Sequence, residues 1–307
     1  MSESVEKQPL LRPGLAWEGS PGSRAAARAI QLRAQAAKFL RRPGGLIGCG
    51  ILFFTLSLAI AGPWLLDESS FLNQSLSERL QPPSGLHLFG TDELGRDVFA
   101  RVVVASRVTL SIVTMVSLIV LPLGLIIGMT AAYLGGFADS CLMRLTDTVL
   151  AFPRLILALA LAAAMGPGLY SIVLAIALTS WPVYARLARA ETLVVRNSDF
   201  VVAARLQGAS TSRILSRHIL PFCLSSTVVR LTLDMSGIVL TAAGLGFLGL
   251  GIQPPEPEWG SMVAAGRDFL VEQWWIAAFP GVAILILSLG FNLAGEALRD
   301  VLTPRTA

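Results

Sequence analysis

Charged residues are scarce in this sequence. Asp, Glu, Lys and Arg make up 14% of its 307 residues, whereas a soluble domain averages about 25%. Hydrophobic residues make up 54%, and the mean hydropathy is +0.67. Because apolar runs near membrane-spanning length recur along the chain, the composition favours a polytopic membrane protein over about two soluble domains.

Lysine, histidine and cysteine are also rare, and each shortage excludes a kind of chemistry. Neither lysine, Lys7 nor Lys38, follows a glycine, whereas a P-loop requires a Gly-Lys-Ser/Thr sequence after a glycine-rich turn. The two histidines, His87 and His218, are expected on opposite sides of the membrane, which argues against a His-based metal site or a Ser–His relay. The chain is therefore predicted not to be an enzyme, to bind no metal or cofactor, and to have no nucleic-acid partner.

Three cysteines are widely spaced and include no CxxC pair. We interpret Cys49, Cys141 and Cys223 as inert buried thiols rather than a disulfide framework or a metal site.

Six membrane spans are predicted from the apolar runs, since roughly 20 residues cross about 30 Å of hydrocarbon. They cover residues 44–66, 108–134, 148–165, 169–184, 222–245 and 274–294. Spans three and four are joined only by Gly166-Pro167-Gly168, which predicts a tight hairpin. Trp274 and Trp275 are interpreted as residues of the interfacial aromatic belt.

The remaining segments complete the predicted organisation. Residues 1–43 form an N-terminal tail, polar and partly disordered at first and then basic, and no cleavable signal peptide precedes the first span. An outer loop covers residues 67–107, and residues 108–294 form the membrane core. Residues 295–307 form a C-terminal tail.

Basic residues predict the orientation of the chain. The segments expected inside carry the basic N-terminal stretch and the six arginines from Arg186 to Arg217, whereas the long outer segments carry few arginines. The positive-inside rule therefore places both termini in the cytoplasm.

A basic stretch at residues 199–221 interrupts the apolar runs. Ser198 or Asp199 can cap a first helix, Gly208 can end it in the left-handed conformation, and Ser210 or Thr211 can cap a second helix. In the second helix Arg213 and Arg217 lie four residues apart and share a face. Two short amphipathic helices of this kind lie on anionic lipid or dock on a partner protein, and the pattern by itself leaves both readings open.

The sequence VVAARLQGASTSRILSRHILP (201–221) resembles the cytoplasmic loop of ABC-importer inner-membrane permeases. The general pattern in these proteins is Glu-Ala-Ala, three residues, Gly, nine residues and Ile-x-Leu-Pro. Val202 and His218 depart from that pattern, but the peptide/nickel branch of the family reads AAR-x-x-GAS…RHILP, as this chain does. The resemblance implies that residues 196–221 form a coupling loop that docks on an ATPase subunit. The residues to which it assigns this role are Ala203, Ala204, Arg205, Gly208, Ala209, Ser210, Arg213, Arg217, Leu220 and Pro221.

Three more stretches are similar to the same branch. They are FGTDELGRDVFARVVVASRVTLSI (89–112, with Ala100 in place of the usual Ser), LGFLGLGIQPPEPEWGSM (245–262) and FNLAGEALRDVLTP (291–304). The resemblance implies the C-type permease subunit of a dipeptide, oligopeptide or nickel importer in a bacterial inner membrane. Its fold would be all-α, with six transmembrane helices and the coupling loop between the fourth and the fifth, as in type I ABC importers.

The resemblance also implies the partners. This chain would be surrounded by membrane lipid and would contact a homologous second permease. It would also act with two ATPase subunits that bind ATP and Mg²⁺, and with an external substrate-binding protein. Di- or oligopeptides are the expected substrates of an alternating-access cycle, with nickel or a metal chelate as the alternative. Two alternatives come from other classes of protein. One is a stand-alone secondary transporter or channel, which would require inverted repeats or several intramembrane charges. The other is a membrane enzyme.

Charged residues within the spans are candidates for the substrate path. Arg230 and Asp234 lie four residues apart in the fifth span, where they form either an ion pair that fixes helix packing or part of a water-filled path. Asp147 and Arg154, at the start of the third span, are interpreted as residues that extend to the membrane interface.

The outer loops supply candidates for a gate or for contact with the binding protein. They are Asp92, Arg96, Asp97, Glu256, Glu258 and Trp259. For the first three, a rigid loop held by local hydrogen bonds is an equally good interpretation.

Overall fold

The computed structural model of the chain describes residue 39 and residues 42–66 and 71–302. Most of these residues are helical, and the only extended pairing among them is an isolated bridge between Thr91 and Asp97. The α-helices are α1 Pro43–Leu65, α2 Val98–Leu134, α3 Gly136–Leu150, α4 Arg154–Met165, α5 Leu169–Val195, α6 Asp199–Leu206, α7 Thr211–Ile214, α8 Leu220–Phe247, α9 Trp259–Gly266 and α10 Trp275–Leu302. Most of the predicted N-terminal tail, with residues 67–70 and 303–307, lies outside the described part.

The predicted all-α membrane fold is confirmed. Five helical stretches of the described residues are long and apolar enough to cross a membrane, and the bent pair α3–α4 makes six if it counts as one span. The last helix, α10, continues to Leu302 without a break, so residues 295–302 of the predicted C-terminal tail are helical.

The first helix packs on α2 and α10 through small residues. A Cβ atom on Gly48 would lie 2.6 Å from the backbone nitrogen of Ala294, and one on Gly290 would lie 2.7 Å from Ile51 Cγ2. Small residues let helix backbones approach closely, which is how helices associate in lipid. At the cytoplasmic end predicted for these helices, Arg42 donates a hydrogen bond to Asp300 at 2.5 Å.

The second helix begins at Val98, ten residues before the predicted span. The side chain of Asp97 accepts a hydrogen bond from the backbone nitrogen of Ala100 at 2.9 Å and caps this earlier start. Sequence reasoning placed the start too late because it followed hydropathy, and the first turns of α2 include Arg101 and Arg107.

The third predicted span, 148–165, is wrong as a single helix. Two helices, α3 and α4, meet at an angle of 89°, and the chain breaks before Pro153, whose ring cannot continue a helix. Ion pairs hold α3 to α5: Arg189 donates from Nε and Nη2 to the two carboxylate oxygens of Asp139, each at 2.6 Å. Arg186 donates to Asp147 at 2.7 Å.

The predicted hairpin at Gly166-Pro167-Gly168 agrees with the structure, in which α4 ends at Met165 and α5 begins at Leu169. The fifth helix extends past the predicted span to Val195 and packs along α2. A Cβ on Gly124 would lie 2.4 Å from the Cβ of Tyr184, so the two helix backbones approach closely at this point. Together with α8, α9 and α10 they enclose the main hydrophobic core.

Candidate functional site

The coupling loop is a helix, a glycine turn and a second helix, as predicted. Helix α6 ends at Leu206, and Gly208 takes a φ of +79°, a conformation that costs glycine little. Helix α7 is only one turn long and continues as a π-helical turn, Leu215–Ile219, into α8. Ser198 and Ser210 occupy the two N-cap positions, but neither side chain makes a capping hydrogen bond, so the predicted side-chain caps are wrong.

One side of the coupling loop is buried against the chain's own helices. Val201, Ile214 and Ile219 are buried and pack in a second hydrophobic cluster with Cys223. The cluster also includes residues near the ends of α2 and α5: Leu125, Met129, Ala188 and Val195. A displacement of the coupling loop would therefore push directly on the ends of α2, α5 and α8.

The other side of the coupling loop is exposed. Its exposed predicted residues are Ala203, Arg205, Gly208, Ser210, Arg213, Arg217 and Pro221, whereas Ala209 and Leu220 are partly buried and Ala204 is buried. A cavity of about 320 Å³ opens here. Its lining consists of Phe200, Ala203, Ala204, Gln207, Ala209, Arg213 and His218. The loop thus presents small side chains, a recess and three arginines, together with the exposed apolar side chains of Phe200, Val202 and Leu206.

Aromatic and backbone contacts fix the loop in place. The ring of Phe200 stacks on that of Phe222 at 5.5 Å, which joins α6 to α8. The guanidinium of Arg205 lies 5.4 Å from the ring centre of Tyr133, a cation–π distance. Arg196 donates to the carbonyl of Ala132 at 2.5 Å, which binds the end of α5 to the end of α2.

The intramembrane pair predicted in the fifth span is present. Arg230 Nε donates to Asp234 Oδ2 at 3.1 Å, and the hydroxyl of Tyr184 donates to the same oxygen at 3.0 Å. Tyr184 comes from α5, 50 residues earlier in the chain. The side chain of Arg230 is 47% exposed, against 18% for Asp234, so the arginine extends from the surface of this chain while the carboxylate is held inside.

Asp92, Arg96 and Asp97 are held in a compact outer loop. Asp92 Oδ1 accepts hydrogen bonds from the backbone nitrogens of Leu94 and Arg96, each at 2.9 Å, and its Oδ2 accepts one from Arg96 Nε at 2.7 Å. Asp92 and Arg96 are both buried. Asp97 caps α2 and lies 2.9 Å from His87 Nδ1. These contacts give all three residues a structural role, and a role in gating or partner contact stays a prediction.

The other three outer-loop candidates, Glu256, Glu258 and Trp259, differ in how deeply they are buried. Glu258 is 2% exposed and caps α9 by accepting from the backbone nitrogens of Gly260 and Ser261, each at 2.8 Å. Burial raises the pKa of its carboxyl above the ordinary value, against the opposing effect of these hydrogen bonds. Trp259 is also buried and donates from Nε1 to the carbonyl of Val102 at 2.9 Å. Glu256 is exposed, and it is the candidate of this group that a partner could reach directly.

Comparison with known proteins agrees with this architecture. Residues 102–307 match the family described as "Binding-protein-dependent transport system inner membrane component". The chain belongs to this family. It is 45% identical to the "Probable D,D-dipeptide transport system permease protein DdpC" of Escherichia coli K12, over 83% of this chain and 85% of that one. It is 42% identical to the "Di/tripeptide transport system permease protein DppC" of Pseudomonas aeruginosa, over 87% and 90%.

A solved structure supports the fold of this binding-protein-dependent transport component independently. A chain from the structure titled "Inward facing conformations of the MetNI methionine ABC transporter" aligns with a TM-score of 0.53 and 18% sequence identity. The alignment covers 66% of this chain and 96% of that chain. At this identity the likeness concerns the fold alone.

Sequence reasoning missed the residues that join distant segments of this transport component. Tyr184 gives no signal as a partner of Asp234, because an aromatic residue in an apolar run is typical of any span. The position of Arg154 at the membrane interface stays a prediction, and the structure adds that its Nε and Nη2 atoms are buried. The prediction of three buried thiols holds only for Cys223, because Cys49 and Cys141 are exposed on the isolated chain.

Proposed function

We propose that this chain is one of the two permease subunits of an ATP-driven importer of di- or oligopeptides. It forms half of the translocation path, pairs with a homologous permease and couples to two ATPase subunits, which bind ATP and Mg²⁺. An external substrate-binding protein delivers the peptide. The path alternates between inward-facing and outward-facing states.

The observation that carries this proposal is the two-sided coupling loop. Its buried side contacts the ends of three membrane helices through Val201, Ile214 and Ile219. Its exposed side offers a recess whose lining includes Ala203 and Arg213. A loop that only rests on lipid would turn its apolar residues toward the membrane rather than into the protein. The arrangement instead favours a protein partner with an acidic rim around an apolar projection.

The distribution of arginines supports an orientation with both termini in the cytoplasm. Arg205, Arg213 and Arg217 then face the cytoplasm, where ATP is available to the partner subunits. The exposed Glu256 faces outward and is a candidate contact for the binding protein. The membrane is the inner membrane named in the family description.

Peptides are favoured over nickel as the substrate. The two relatives described above are named as permeases for dipeptides or di/tripeptides. In the described part of the chain no group of three or more His, Cys, Asp or Glu side chains is placed to hold a metal ion. The intramembrane pair Arg230 and Asp234 instead carries one guanidinium and one carboxylate, which are complementary to the two ends of a zwitterionic peptide.

The test is the binding-protein-stimulated ATPase activity of the complete complex in proteoliposomes. We expect the double variant Arg213→Glu, Arg217→Glu to lose at least tenfold of this stimulation and to release ATPase subunits during purification, because the charge that faces them is reversed. The matched control, Arg79→Glu with Arg267→Glu, makes the same change of charge at exposed positions predicted on the outer side.

Two outcomes contradict the proposal. Stimulation and attachment that survive the double reversal would make the coupling loop a lipid-surface element. A native complex that takes up no di- or oligopeptide with ATP would refute the assigned transport activity.

A further inference from the structure

A cavity of about 410 Å³ opens between the first half of α2, the beginning of α5 and the loop between α8 and α9. Its lining includes Arg107, Leu169, Ile252 and Glu256, and it is here called the outer cavity. Leu169 begins α5, whose 27 residues span about 40 Å before they end at Val195 beside the coupling loop. The outer cavity therefore lies at the end of the bundle opposite the coupling loop, which is the outer side in the proposed orientation.

Two exposed charges of opposite sign line the outer cavity. Arg107 comes from α2 and Glu256 from the loop between α8 and α9. Within the described part of the chain neither side chain takes part in an ion pair, with each other or with another residue. By contrast, Asp92 and Arg96 in the preceding outer loop pair with each other at 2.7 Å. The guanidinium of Arg107 and the carboxylate of Glu256 are thus both open to a ligand in the cavity.

The rest of the lining is mainly apolar and includes Phe71, Leu72, Leu169 and Ile252. Small-ligand sites typically have a volume of about 300–1,000 Å³ and combine apolar walls with a few polar groups that fix orientation. The outer cavity has this volume and this composition. A short peptide has the matching chemistry, since it carries a positive charge at one end, a negative charge at the other and side chains between them.

Hydrogen bonds hold the walls of the outer cavity together. Trp259 Nε1 donates to the carbonyl of Val102 at 2.9 Å, which fastens the loop that carries Glu256 to α2. Arg101 Nη1 donates to the carbonyl of Phe71 at 2.9 Å, which fastens the segment after α1 to the same helix. Because these groups are fixed before a ligand arrives, binding costs little ordering of the site.

Arg107 also lines a second, more open groove of about 740 Å³ between α1 and α2, beside Ile60 and Trp64. A lipid phosphate in that groove would use Arg107 alone, and it would gain nothing from the carboxylate of Glu256. A zwitterionic ligand uses both charges and leaves no net charge in the cavity. The pairing of Arg107 with Glu256 across one cavity therefore favours a peptide over a lipid.

We propose that the outer cavity is the first docking site of the peptide on this permease, after its release from the binding protein. Arg107 binds the C-terminal carboxylate, to which a guanidinium can donate two parallel hydrogen bonds. Glu256 accepts hydrogen bonds from the N-terminal ammonium group. The apolar walls formed by Phe71, Leu169 and Ile252 contact the peptide side chains without selecting one of them.

This inference rests on the proposed peptide transport, and its test separates the two. Uptake of radiolabelled Ala-Ala and hydrolysis of ATP are measured together, in proteoliposomes that contain the complete complex with saturating binding protein. We expect Arg107→Gln and Glu256→Gln each to lower the number of peptides imported per ATP by about tenfold, since each removes a charged hydrogen-bonding partner. The stimulated ATPase rate should stay within twofold of the native one. Arg107→Lys should keep most of the uptake, because it keeps the charge.

The control variants are Arg79→Gln and Glu272→Gln, which remove exposed charges predicted on the same outer side and absent from the lining of the cavity. Both should import peptide as the native complex does. Three results would overturn the inference. Native uptake per ATP in Arg107→Gln and Glu256→Gln would show that the cavity holds no peptide. A stimulated ATPase rate that falls together with uptake would make these residues contacts of the binding protein.

The third contrary result is a loss in Arg107→Gln with native uptake in Glu256→Gln, which would assign Arg107 to a lipid headgroup. A native complex without ATP-driven uptake of Ala-Ala would instead refute the proposed function.

Discussion

Trp275 donates a hydrogen bond from Nε1 to the backbone carbonyl of Thr91 at 3.2 Å, across 184 residues of sequence. The contact fastens the start of α10 to the outer loop before α2. Its neighbour Trp274 is 52% exposed, whereas Trp275 is 7% exposed. The sequence predicts the same interfacial position for both tryptophans. In the structure, Trp275 is a buried hydrogen-bond donor, whereas Trp274 is exposed.

Replacing Trp275 by phenylalanine should destabilise the protein, and the same change at Trp274 should not. Trp275→Phe leaves the buried carbonyl of Thr91 without this donor and opens a small gap beside Gly90. The expected loss is about 1–3 kcal/mol, seen as a lower apparent Tm in detergent. Trp274→Phe is the matched control. Equal shifts in the two variants would mean that the hydrogen bond contributes nothing measurable.

Gly48 and Gly50 offer a paired test of the contact between α1 and α10. A Cβ on Gly48 meets the backbone of Ala294 at 2.6 Å, whereas one on Gly50 meets nothing within 4 Å. Gly48→Ala should therefore separate the two helices at a cost of about 1–3 kcal/mol, measured as a lower apparent Tm. Gly50→Ala should be neutral or slightly stabilising. A Gly48→Ala protein as stable as the Gly50→Ala protein would contradict the close packing.

The buried Glu258 predicts a pH dependence of stability. Because burial raises the pKa of its carboxyl, the folded state binds this proton more tightly than the unfolded state does. The associated stabilisation is complete below the ordinary glutamate pKa and is lost as pH rises through the raised value. Because Gln does not titrate, the apparent Tm of the native protein should fall relative to that of Glu258→Gln as pH rises over that range.

The exposed Glu256 in the same loop supplies the comparison. Glu256→Gln should follow the native curve at every pH. A native protein that instead gains stability relative to Glu258→Gln as pH rises would show that the hydrogen bonds from Gly260 and Ser261 outweigh burial. The pKa of Glu258 would then be lowered rather than raised.

The sequence determined the helical membrane fold, most spans and the coupling loop. Hydropathy and helix-ending glycines are signals that depend only on neighbouring residues. The first predicted span therefore agrees with α1 to within one residue at each end. Gly208 follows the end of α6 with a positive φ, as predicted. Local signals failed where a break is short. Because the sequence stays apolar across Ala151 and Phe152, hydropathy predicts one continuous span there. The structure instead bends by 89° before Pro153.

Only the tertiary structure decided which side chains meet. Asp234 pairs with Arg230 one helical turn away, a contact that spacing predicts, but its second partner, Tyr184, arrives from another helix. Val201 and Ile219 contact α2 and α5 because those helices end beside the coupling loop. Sequence fixes a helix through neighbours three and four residues apart, whereas a polar site in a membrane bundle depends on how separate helices pack against one another.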